Sequence, residues 1–175
     1  KKNEFLDIWL MANCNFCVST GSGLDEVSEI FRRPICKVSM VPLQHYNSWN
    51  PDIIHTPKTI IRNDGSNNPL SVDELIKTDL ISIPKDGDYS NLLKKNNCIL
   101  KDSSEDEILN NIIEMDNKIK NKLNYTKESN LRQEIFWNKF KKMNSFEKYH
   151  NINQTDPIGR ISNYYLEKNE NWFLK

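Results

Sequence analysis

An α/β fold built on parallel strands is what the sequence predicts, and three observations carry that expectation. A β-prone run, Asn15-Phe16-Cys17-Val18-Ser19, closes in Thr20-Gly21-Ser22-Gly23 and passes directly into a helical period through Leu24, Val27, Ile30 and Phe31. The nearly continuous apolar run from Ile35 to Val41 suits a strand covered on both faces, as the strands of parallel sheets are. The 175 residues allow one domain, or one domain with an appendage.

Taken in order, Glu4 to Ala12 places Phe5, Ile8, Trp9 and Ala12 on one helical face, with Asn13 or Asn15 as its stop. Strands are expected near 15–19 and 35–41. Pro34 ends the helix between them, because the residue before a proline is pushed out of the αR region. Leu43 to Pro57, rich in His, Tyr, Trp and Asn, reads as a loop, and Lys58 to Arg62 as a further strand or an extended connection. Ser71-Val72-Asp73-Glu74 and Ser104-Glu105-Asp106-Glu107 both have capping-box spacing and open helices. The second of these helices carries Ile108, Ile112, Met115 and Ile119 on one side, and Cys98 to Leu100 reads as a short strand or bridge before it. From Tyr125 the character changes to a charged helix over Thr126 to Met143 with a stripe of Leu131, Ile135, Phe136, Trp137 and Phe140. A polar linker follows, and then an aromatic tail from Gly159. The division expected is therefore a first unit over 1–124 and a C-terminal helix and tail over 125–175 that packs back on it.

Composition excludes whole classes. With 24 Lys+Arg against 24 Asp+Glu the formal net charge is zero, which removes the electrostatic case for a nucleic-acid binder. No stretch approaches the roughly 18–20 apolar residues needed to cross a bilayer, so no membrane span is expected. The chain begins at Lys1-Lys2-Asn3 without an initiator Met or anything like a signal peptide, and it reads as a piece of something longer.

The stretch from Cys17 to Pro34 carries the chemistry. A glycine pair at a strand-to-helix junction lets the backbone come close to a ligand, and the amides of a first helical turn favour a phosphate. Ser19, Thr20 and Ser22 would add hydroxyls around Gly21, Gly23 and Leu24, and Glu26 would reach ribose hydroxyls beside a diphosphate so held. The run is neither G-x-G-x-x-G nor a P-loop, and taken alone such a turn is more often ordinary turn chemistry than a nucleotide site, and Glu26 more often a solvated or dipole-pairing helix residue.

The segment from Asp7 through Pro42 resembles the nucleotide-sugar end of GT-B glycosyltransferases, and in particular an uncharacterised bacterial family assigned to them. The matching positions are Asp7, Ser22-Gly23-Leu24, Glu26, Phe31, Pro34 and Pro42, continuing through Pro57-Lys58, the Ser71 helix, Gly159-Arg160-Ile161-Ser162 and Tyr165 to Leu174. The resemblance implies an incomplete Rossmann-like fold, the C-terminal, donor-binding half of a two-domain enzyme, with a C-terminal helical extension. It implies transfer of a sugar from a nucleoside-diphosphate sugar to a carbohydrate or glycoconjugate acceptor in surface polysaccharide assembly. The acceptor and catalytic base would lie on a missing N-terminal domain, so that this chain alone would be inactive. The setting implied is the cytoplasm, including peripheral attachment at the inner face of the membrane. Sugar-nucleotide 2-epimerases share a related turn, so an epimerase remains an alternative, as does a non-catalytic scaffold using the aromatic tail. Arg32-Arg33 and Ser39-Met40-Val41-Pro42 depart from the family pattern.

Remaining candidates are single residues. His45, in the loop after the second strand, is a candidate acid/base or phosphate contact, although a histidine so placed is more often a surface residue. Tyr46 and Trp49 can stack on a base or sugar, or close the loop over the core. Lys58 can neutralise phosphate, while His55 and His150 carry no positional argument. Cys14 and Cys17 have the spacing of half a zinc knuckle with no second pair, so no metal and no resident cofactor are expected.

Overall fold

The computed structural model describes residues 3–144, 146–150 and 158–174; Lys1, Lys2 and most of the linker expected after Met143 lie outside the described residues. The protein is α/β, with a four-stranded sheet in the order β1 (Cys17–Ser19), β2 (Ile35–Met40), β3 (Ile53–Pro57) and β6 (Arg160–Ile161), every neighbouring pair parallel. A two-stranded antiparallel sheet, β4 (Thr59–Arg62) with β5 (Cys98–Lys101), extends from the end of β3.

Helices cover both faces of the parallel sheet. On one side α1 (Glu4–Asn13) and α2 (Asp25–Ile30) lie together, with Met11 and Cys14 against Cys17, Ile35 and Ile53. On the other side α5 (Glu105–Ile119) sets Met115 and Ile119 against Cys36 and Ile54. The largest apolar cluster lies beyond β3, where α3 (Val72–Lys77), α4 (Tyr89–Lys95), α6 (Lys127–Phe140), α8 (Asn163–Lys168) and α9 (Glu170–Leu174) gather Leu75, Leu93, Phe136, Phe140, Tyr165 and Phe173. α7 (Phe146–His150) closes it from the side with Phe146 stacked on His150.

Both capping boxes form: the Glu74 and Glu107 carboxylates accept from the Ser71 and Ser104 amides at 2.8 and 2.7 Å. Three expectations are corrected. The 43–57 loop contains β3, a central strand buried along its whole length, and its polar side chains find partners inside. His55 accepts from the Asn47 amide at 3.1 Å, and Thr56 accepts from Asn111 Nδ2 at 2.6 Å. The apolar face expected on α1 is not buried: of Phe5, Ile8, Trp9 and Ala12 only Ala12 is covered. In α6, Leu131 leaves the stripe and faces solvent, while Phe136, Trp137 and Phe140 form the aromatic packing.

The tail returns to the sheet through backbone contacts. The Ile158 and Gly159 amides both donate to the Ser48 carbonyl at 2.8 Å, and a Cβ on Gly159 would collide with the Asn47 carbonyl oxygen. Only glycine permits that approach. β6 then pairs with β3, and its outer edge is filled by a side chain: Gln133 donates to the Ile161 carbonyl at 2.6 Å and accepts from its amide at 3.0 Å. The Gln133 amide thus stands in for a neighbouring strand. Gln133→Leu should leave both Ile161 groups buried and unpaired and cost about 2–4 kcal/mol in urea denaturation; a loss under about 0.5 kcal/mol would show that water replaces the amide.

Candidate functional site

A cleft of about 280 Å3 opens past the carboxyl ends of β1 and β2. Gly21 and Met40 form its floor, Glu26 and Lys37 one wall, and Gln44, His45, Asn47, Trp49 and Tyr149 the other. Open α/β sheets bind ligands at this end of their strands. Larger hollows of about 450 Å3 beside α6 and about 630 Å3 beside Trp172 are lined by residues such as Gln133, Trp137, Arg62 and Glu74 that already pair with one another or with the backbone.

The turn that builds the cleft is specified locally. Gly21 has φ +82°, a conformation that favours glycine, while a Cβ there would meet only the movable thioether end of Met40 at 2.8 Å. The Ser19 hydroxyl accepts from the Gly21 amide at 3.1 Å, and the Ser22 carbonyl accepts from the Asp25 amide at 3.0 Å. A Cβ added at Gly23 would meet nothing within 4 Å, so that position needs no glycine on steric grounds. The short helix α2 that follows buries Asp25 and Ser28 and exposes Leu24, Ile30 and Phe31, the reverse of what its apolar spacing predicts.

The reason is an ion pair under the turn. Lys37, the one charged residue of β2, is 3% exposed, and its ammonium lies 3.5 Å from Asp25 Oδ2 and 3.7 Å from Glu26 Oε1. Asp25 is 1% exposed. Glu26 keeps its carboxylate largely in solvent while Lys37 holds one oxygen toward the cleft. On the opposite wall, Asn47 Nδ2 donates to Glu29 Oε2 at 3.4 Å and Asn50 Nδ2 to Glu29 Oε1 at 3.2 Å, which ties α2 to the loop after β2.

Two histidines lie behind the cleft and are held neutral. His55 is fully buried, stacks on Tyr46 with ring centroids 4.4 Å apart, and is driven well below the ordinary imidazole value by desolvation and then by Lys37. Its Nε2 accepts from Asn47, so the neutral ring carries its proton on Nδ1. His150 lies 3.1 Å from the Ser48 hydroxyl through Nδ1, and burial pushes it down from 6.5 to about 4. His45, at the open mouth, is lowered by partial desolvation and by Lys37.

Of the expected site residues, Gly21, Glu26 and His45 converge on the cleft. Ser19, Thr20, Ser22, Gly23 and Leu24 form the turn beside it without lining it. Lys58 stands apart at the β3–β4 junction, where its ammonium holds Asp102 at 2.6 Å. Trp49 lines the cleft, whereas Tyr46 is core. Lys37, Gln44, Asn47 and Tyr149 were not found from sequence. Only Lys37 carried a signal, a charge inside a doubly covered strand. Among the described residues no group of His, Cys, Asp and Glu is arranged to hold a metal ion, and no helix is long and apolar enough to cross a membrane.

Lys37→Met should cost about 3–5 kcal/mol by stranding the Asp25 carboxylate, and Asp25→Asn in the same chain should recover most of it; equal stability of the single and double variants would refute the pairing. His150 gives a pH signature. The unfolded chain takes up its proton near pH 6.5 and the folded chain only near 4, so stability present above 6.5 is lost as pH falls toward 4, by about 3 kcal/mol. His150→Gln should flatten the stability profile over that interval, and an unchanged slope would contradict the assignment. Comparison with known proteins finds no family model, no curated protein and no solved structure that matches the chain.

Proposed function

We propose that this chain is the donor-binding, Rossmann-like half of a GT-B glycosyltransferase, holding a nucleoside-diphosphate sugar in the cleft past β1 and β2. Its supporting observation is the convergence of Gly21, Glu26 and His45 on one cleft at the ligand-binding end of a parallel sheet. In this reading the Glu26 carboxylate accepts from the ribose hydroxyls, and Lys37 orients it. Lys37 also offsets one of the two charges of Asp25 and Glu26, which lessens their repulsion of a diphosphate lying along the 20–23 turn. The half-exposed Trp49 and Tyr149 rings offer apolar faces for a base or a sugar. His45, kept neutral by its surroundings, is the group able to accept or relay a proton at the mouth.

The acceptor, a carbohydrate or glycoconjugate, would be brought by a second domain, and the chain alone would bind without turning over. Calorimetry with nucleoside diphosphates of the common bases should detect binding to the chain, and Glu26→Ala should weaken it by about 2 kcal/mol, roughly thirtyfold. Binding unaltered by that substitution removes Glu26 from the ribose; no binding by the unmodified chain removes the reading.

A further inference from the structure

The two edges of the parallel sheet are treated differently. At β6 the outer backbone groups of Ile161 are taken up by Gln133. At β1 no strand lies outside among the described residues, where β1 pairs with β2 alone. Cys17 donates its amide to Pro34 on the β2 side, so the alternation along the strand turns the amide and carbonyl of Val18 toward the open edge. The Val18 side chain is half exposed.

Beside that edge lies an apolar groove of about 360 Å3, lined by Trp9, Leu10, Phe16 and Val18 among others. α1 above it is apolar nearly all round, with Phe5 71% and Trp9 50% exposed. A helix of that kind is a buried helix in a finished fold, and a strand of a parallel sheet is ordinarily flanked and covered.

The topology says on which side the cover belongs. α1 packs on the same face of the sheet as α2, with Ser28 Oγ donating to the Met11 carbonyl at 3.1 Å and Arg33 Nε to the Ala12 carbonyl at 2.7 Å. A short connection, residues 14–16, joins the end of α1 to the start of β1, as a crossover helix joins the strand it feeds. Crossovers between parallel strands share one hand. With α1 and α2 on one face, the chain advances in the same direction through both, and since α2 leads from β1 to β2, α1 must come from the side of β1 opposite β2.

We propose that β1 is an interior strand in the working protein, and that a further parallel strand, contributed by polypeptide on the N-terminal side of α1, pairs with Val18 and covers the groove. The nucleotide cleft plays no part in this, so its failure as a ligand site would leave the strand addition standing.

The test is amide hydrogen exchange on the 175-residue chain and on the native polypeptide carrying whatever is encoded before Lys1. Val18 should exchange at nearly the free-peptide rate in the shorter chain and at least a hundredfold more slowly in the longer one. Val18→Pro removes the outward amide and also restricts φ there, whereas Trp9→Glu charges the helix face without touching the strand. Trp9→Glu should leave the melting of the shorter chain unchanged, and both should destabilise the longer one. Equal Val18 rates in both chains overturn the proposal, as does a native polypeptide with no strand-forming segment before Lys1. Val18 protection that grows with concentration in the shorter chain also overturns it, because a second copy would then occupy the edge.

Discussion

The buried Asp25–Lys37 ion pair sets the cleft end of this protein. Removing both charges from water costs several kcal/mol for each ion, and their attraction offsets this only when both are held in place. Lys37 is held by the central position of β2, and Asp25 by the turn that Gly21 makes possible. α2 is only six residues long, too short to persist by its own hydrogen bonds, and its apolar residues Ile30 and Phe31 face outward. What fastens it is polar: Asp25 to Lys37, Ser28 to the Met11 carbonyl, and Glu29 to Asn47 and Asn50. The position of Glu26, the floor of the cleft and the wall carrying His45 and Trp49 all follow from that fastening.

The same device recurs through the fold. Side chains satisfy backbone where regular pairing stops: Gln133 along β6, Trp137 Nε1 to the Gly159 carbonyl at 3.0 Å, Asn111 Nδ2 to the Ile54 carbonyl at 3.5 Å, and the Glu114 carboxylate accepting from the Asn163 amide at 2.8 Å. Each joins residues far apart in the chain, so the closing tail is held to the sheet by specific polar contacts as well as by the aromatic cluster. Burial of Glu114 raises its carboxyl, and the Asn163 amide and the Arg160 guanidinium work against that rise.

Legibility in the sequence tracked how local the cause was. The two capping boxes, Pro34 and the Thr20–Gly23 turn act within four residues of themselves, and the structure has a helix start, a helix end and a strand-to-helix turn at those places. β3 was illegible because His55, Thr56 and Pro57 look like loop chemistry until Asn47 and Asn111 arrive from elsewhere to satisfy them. Lys37 was hidden by its apolar neighbours, and its partner lies on the preceding helix. The α1 face was legible as apolar, but periodicity says which side of a helix is oily and is silent on whether anything covers it.

The sequence by itself determined the parallel α/β character of the first forty residues, the glycine at position 21, and the placing of Glu26 and His45 at the carboxyl ends of β1 and β2, because these depend on local propensity and on spacing. Only the tertiary structure decided that Lys37 lies beneath Glu26, that a polar segment becomes the central strand β3, and that, among the described residues, one sheet edge is sealed by Gln133 while the other has no neighbouring strand. Those outcomes depend on which distant groups can satisfy a buried charge or amide. Pairing across 28 residues, as between Gln133 and Ile161, leaves no periodic trace in the chain.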